Sequence, residues 1–146
     1  MPLKHESGKP AGFTLIEIIV VIAVVAILAS LVSPMVFQNV GDAKSTTARA
    51  QIEILALALD SYRLDNDRYP STELGLAALR EPPEGDLGRG WRGPYLRREV
   101  PADPWGRPYV YVSPGDENPS SYDLLSLGRD GERGGTGEDA DIESWR

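Results

Sequence analysis

From residue 18 to residue 37 the chain is apolar or uncharged without interruption, and one carboxylate, Glu17, stands directly before this run. About 20 helical residues cross the hydrocarbon layer of a bilayer, so the stretch has the length of a single membrane span. A charge at such a boundary costs on the order of 2.5 to 3.5 kcal/mol on insertion scales, which makes Glu17 a candidate for pairing. Residues 1–12 form a short polar segment, with Lys4 and Lys9 against Glu6. Positive-inside bias keeps such a segment cytoplasmic and sends the bulk of the chain across the membrane. The small residues Ala11 and Gly12 precede the apolar run, whereas an ordinary secretory signal places them after it. Processing at this point leaves the apolar helix on the mature chain.

The net charge of −7 comes mainly from the C-terminal quarter of the 146 residues. It disfavours nucleic acid as a partner. The chain has no cysteine, hence neither a disulfide framework nor a thiolate metal site. Its one histidine, His5, lies before the apolar run, and no G-x-S-x-G motif is present, so the sequence reads as a non-enzyme. Trp91, Trp105, Tyr95 and Tyr109 read as core and turn packing rather than a sugar platform.

Pro34 and Gly41 predict a kink or a locally extended stretch between them. Beyond Gly41 two apolar stripes run at helical spacing. Ala48, Ile52, Leu55, Leu59 and Tyr62 form one, and Ala50, Ile54, Leu57 and Leu64 the other. One face suits the chain's own globular domain and the other suits neighbouring subunits. The helix is expected to end near "NDRYP", because Pro70 disfavours helical geometry at Tyr69. "STELGLAALRE" reads as a short second helix capped by Ser71 or Thr72. "YVYV" at 109–112 and "YDLLSL" at 122–127 read as strands, giving two or three antiparallel strands on the long helix.

"LGRDGERGGTGEDADIE" at 127–143 sets carboxylates between glycines. Oxygen donors without sulfur or imidazole suit calcium over zinc or copper. EF-hand spacing and a phosphate loop both fail, and a solvated acidic turn remains open on composition alone.

"GFTLIE" at 12–17 followed by the aliphatic run resembles the signal of type IV prepilins and type II secretion pseudopilins. "YPSTELGLAAL", "GPYLRREVPADPWGRPYVYVSPG" and "YDLLSLGRDGERGGTGEDADI" extend the resemblance over nearly the whole chain, toward the major pseudopilins of the type II secretion system. The fold it implies is α+β and type IV pilin-like, a long N-terminal helix with a small antiparallel sheet packed on its second half. The implied domains are a leader at 1–12, a transmembrane and polymerisation helix at 13–37, its amphipathic continuation at 38–65 and a periplasmic globular domain at 66–146.

The resemblance also implies cleavage by a prepilin peptidase between Gly12 and Phe13, methylation of Phe13, and Glu17 as the fifth residue of the mature chain. Phe13 then presents an ammonium, and Glu17 lies about one helical turn on, within reach of a neighbouring subunit's ammonium. The family carries a calcium in the acidic loop, which implies Asp130 and the carbonyl of Leu127 as ligands, with Asp139 and Asp141 supplying the rest. The implied partners are further copies of the chain, minor pseudopilins, an inner-membrane assembly platform and, before assembly, inner-membrane lipid. The expected role is a periplasmic pseudopilus that drives export of folded proteins across the outer membrane. A type IV or competence pilin and a non-polymerising, membrane-anchored periplasmic binding module are the competing readings.

Overall fold

A computed structural model describes residues 12–145, apart from the side chains of 32–39. The chain divides into two compact units, residues 1–38 and 39–146. Helix α1 (Leu15–Asn66) is assigned without a break, so the extended stretch expected between Pro34 and Gly41 is absent. Its first turn is closed by Thr14, whose Oγ1 and carbonyl oxygen both accept the Glu17 N–H, at 3.3 and 3.1 Å. Thr14 thus acts as an N-cap for the first turn.

In the first unit, every described large apolar side chain between Leu15 and Leu31 is at least 46 % exposed. Periodicity plays no part here, because the helix is apolar all round. Among the described residues no helix is long and apolar enough to cross a membrane. The span expected at 13–37 runs into residues 32–37, whose side chains lie outside the described set. The leader expected at 1–12 lies outside it too, except for Gly12.

In the second unit the two stripes of α1 separate as their spacing predicts. Ala48, Ile52, Leu55, Leu59 and Tyr62 are buried, while Ile54, Leu57 and Leu64 face outward. Each buried leucine contributes about 1.5–3 kcal/mol. The helix ends at Asn66 because Asp67 turns left-handed, with φ 58°. The Asn66 side-chain amide donates to the Tyr62 carbonyl at 2.9 Å, satisfying one of the last free acceptors.

The expected second helix is a single 3-10 turn, Gly75–Leu79, which buries Leu76 and Leu79. Ser71 Oγ accepts the Leu74 N–H at 3.4 Å just before it. Three short strands follow, β1 (Val110–Val112), β2 (Asp123–Ser126) and β3 (Ile142–Glu143). They form an antiparallel sheet in the order β1-β2-β3, with Tyr111 opposite Leu124 and Ser126 opposite Ile142. Leu124 and Ile142 join Leu55, Leu59 and Tyr62 in one core. Trp91 packs edge-on against Tyr95 and donates from its indole to the Ala78 carbonyl at 2.8 Å, a packing role as expected.

Tyr109 and Tyr111 are buried, which pushes each hydroxyl up to about 12 from an ordinary 10.0. The Tyr109 hydroxyl donates to Gln51 and that of Tyr111 to the Pro70 carbonyl. A raised folded value stabilises the fold fully below the unfolded pKa and is lost as pH rises through the folded one. Stability is therefore expected to hold up to about pH 10 and fall between about pH 10 and 12. Denaturant midpoints measured across that interval check it; a constant midpoint would show that the two hydroxyls stay solvated.

Candidate functional site: the N-terminal signal and the acidic loop

Two regions carry the sequence-predicted residues. In the first, Gly12 and Phe13 lie outside the helix at its start, and Phe13 is 79 % exposed. Glu17 occupies the first turn, where the positive end of the helix dipole favours a carboxylate. Its carboxylate makes no ion pair or side-chain hydrogen bond among the described residues.

The second region is the connection from β2 to β3, residues 127–141. Gly128 opens it with φ 65°, and a side chain there would meet the carbonyl oxygens of Glu138 and Ala140 at 2.9 and 2.8 Å. The Arg129 N–H donates to the Glu138 carbonyl at 2.9 Å, which brings the two limbs of the loop together. From outside, Arg107 donates one nitrogen to the carbonyls of Gly128 and Arg129, at 2.9 and 2.7 Å. Arg107 is fixed in turn by Asp103, whose buried carboxylate accepts the N–H groups of Trp105 and Arg107 and the Ser126 hydroxyl. The loop also rests on α1, because a side chain at Gly41 would meet the Glu138 side chain. Gly41 is thus a packing position, where the sequence suggested the end of a kinked or extended stretch.

The predicted ligands fall into different environments. Asp130 Oδ1 accepts the Glu132 N–H at 3.0 Å in a local turn, and the Leu127 carbonyl accepts the Gly131 N–H at 3.3 Å. Asp141 Oδ2 accepts the Gly134 N–H at 3.0 Å, while its Oδ1 is buried with no hydrogen-bond partner. Asp139 is held by Arg129 through two parallel bonds, Nε to Oδ1 at 2.8 Å and Nη2 to Oδ2 at 3.0 Å. Among the described residues no three acidic, histidine or cysteine side chains converge as a metal cluster. A cation held here would have to draw on backbone carbonyls as well as carboxylates. The orphaned Asp141 oxygen fits such a use, since a buried acceptor without a partner costs about 1–3 kcal/mol.

Sequence reading missed Asp103, Arg107 and Ser126, which hold the base of this loop. It also missed Asp123, buried in β2, which accepts the N–H groups of Glu117 and Asn118 at 2.8 and 3.1 Å. Burial pushes its carboxyl up, and these hydrogen bonds outweigh that, leaving it below the usual carboxylate value. The one available signal was an acid beside the leucines of "YDLLSL".

A family model described as "Type II secretion system (T2SS), protein G" matches residues 35–145, and one described as "Prokaryotic N-terminal methylation motif" matches residues 8–33. The type II secretion system core protein G of Pseudomonas aeruginosa is 48% identical over 136 residues, covering 92% of this chain and 94% of that protein. That of Escherichia coli K12 is 44% identical over 138 residues, covering 94% and 92%. The crystal structure of the major pseudopilin from the type 2 secretion system of enterohaemorrhagic Escherichia coli superposes with a TM-score of 0.60 at 39% identity, over 73% of this chain and 90% of that one. The long helix, the three-stranded sheet and these likenesses agree: the chain belongs to the protein G family of the type II secretion system and is a pseudopilus subunit.

Proposed function

We propose that the subunit is anchored in the inner membrane by residues 13–37 and faces the periplasm. A prepilin peptidase cuts it after Gly12 and methylates Phe13. It then polymerises through α1 on an inner-membrane assembly platform, beside minor pseudopilins, and the growing filament drives folded proteins across the outer membrane. The observation that carries this reading is the apolar surface of α1 over residues 15–31, exposed all round with Glu17 as its only charge. Burying such a surface at about 25 cal/mol per Å² strongly favours lipid or other copies of the same helix as cover. Glu17 then pairs with the ammonium of a neighbouring Phe13, which fixes the register between subunits. The chain does no chemistry of its own.

Cysteines placed along α1 between residues 18 and 31 test the polymer. Disulfide ladders in the envelope are expected, together with loss of exoprotein secretion in a deletion strain. Monomers alone would leave the membrane-anchored binding module as the better reading.

The acidic loop is read as a calcium site. Asp141 and Asp130 supply carboxylate oxygens, Leu127 supplies its carbonyl, and the limb from Asp139 to Asp141 completes the surround. Bound calcium ties the connection between β2 and β3 together, in a chain without cysteine to do so. Asp130→Ala is expected to shrink the rise in melting temperature that calcium gives. A melting temperature that chelator does not change, in the unsubstituted chain, would count against the site.

A further inference from the structure

Asp139 and Asp141 stand two residues apart in the same loop and have opposite surroundings. Both oxygens of Asp139 are taken by Arg129, whose Nη1 also lies 3.7 Å from Glu138 Oε2. One oxygen of Asp141 has no partner although it is buried. Surface ion pairs are ordinarily weak, but a bidentate arginine fork on a carboxylate is the exception, particularly where both backbones are already positioned. Here they are, by the Arg129 N–H to the Glu138 carbonyl and by Arg107 on the Arg129 carbonyl. Recruiting Asp139 to an ion would break two charge-assisted bonds, whereas Asp141 Oδ1 gives up none.

We propose that Arg129 is an internal latch of the acidic loop: its guanidinium claims Asp139 to close the loop, so that the ion is left to Asp141 and Asp130. The guanidinium supplies the loop with a built-in cation and holds its limbs together before any metal arrives. Arg129 is a positioning residue here, acting on the ion's seat through Asp139. The part concerning the ion rests on the calcium reading; the latch does not.

The test uses the full chain in detergent micelles, with thermal unfolding in chelator and titration with calcium chloride alone. In chelator, Arg129→Gln and Asp139→Asn are each expected to lower the melting temperature by about 2–4 °C, and the double variant by no more than either single one. With calcium, Asp139→Asn is expected to keep the dissociation constant within about threefold, while Asp141→Asn raises it at least about tenfold. The proposal falls if Asp139→Asn loses calcium as Asp141→Asn does. It falls equally if Arg129→Gln melts in chelator at the unsubstituted temperature. Should the unsubstituted chain take up no calcium, the calcium reading fails and the melting data in chelator still decide the latch.

Discussion

Glu17→Ala is expected to leave both units folded and to cut filament yield at least about tenfold. The side chain stabilises its own helix only through the dipole, worth about 0.3–1 kcal/mol, and Thr14 caps the first turn whichever residue stands at 17. Its larger effect lies between subunits. A carboxylate and an ammonium that leave water together cost less than either alone, whereas removing one strands the other, at about 3–5 kcal/mol for a fully buried pair. Glu17→Gln separates charge from shape, because the amide keeps the length and the polarity. The pairing account requires Gln and Ala to fail alike in an assay of sheared filaments. Normal assembly by Glu17→Gln would reduce Glu17 to a helix-start residue.

The second large effect is far from the N-terminus. Asp103→Ala is expected to destabilise the second unit by about 3–5 kcal/mol, because it strands two backbone N–H groups and the Ser126 hydroxyl in a buried place. For a unit of this size the melting temperature should fall by more than about 10 °C. Asp103→Asn should fall between the two, since its carbonyl oxygen still accepts both N–H groups and its amide can donate to Ser126. The consequence reaches function through Arg107. Freed from Asp103, Arg107 no longer holds the carbonyls of Gly128 and Arg129, and the base of the acidic loop loosens. Circular dichroism melts check the first claim and calcium titration of Asp103→Asn the second. Equal stability of all three chains would show that the Trp105–Arg107 turn finds other acceptors.

The long helix could be read from the residues alone because its determinants are local. A charge-free run, two stripes at helical spacing and Pro70 past the end act through neighbours one turn away, and Ala48, Ile52, Leu55, Leu59 and Tyr62 are buried as their spacing implies. The identity of the acidic loop was equally visible, since glycine and carboxylate are crowded into one short segment. Other features depended on residues distant in sequence. Strand β3 is two residues long and exists because β2 lies beside it. Gly41 matters because Glu138 packs on it, and Asp103 because Ser126 comes within 2.6 Å.

The division of labour in the loop shows the same limit most sharply. Sequence supplied five acids in "DGERGGTGEDAD", and composition gave no means of ranking them. The fold places an arginine fork on Asp139 and none on Asp141, and so decides which carboxylate is spoken for and which is left open. What the sequence determined alone was the apolar rod and the charge at its start, because hydropathy and helical period need no partner. What only the tertiary structure decided was the fate of each buried or paired carboxylate, because the free energy of a charge is set by the groups that surround it.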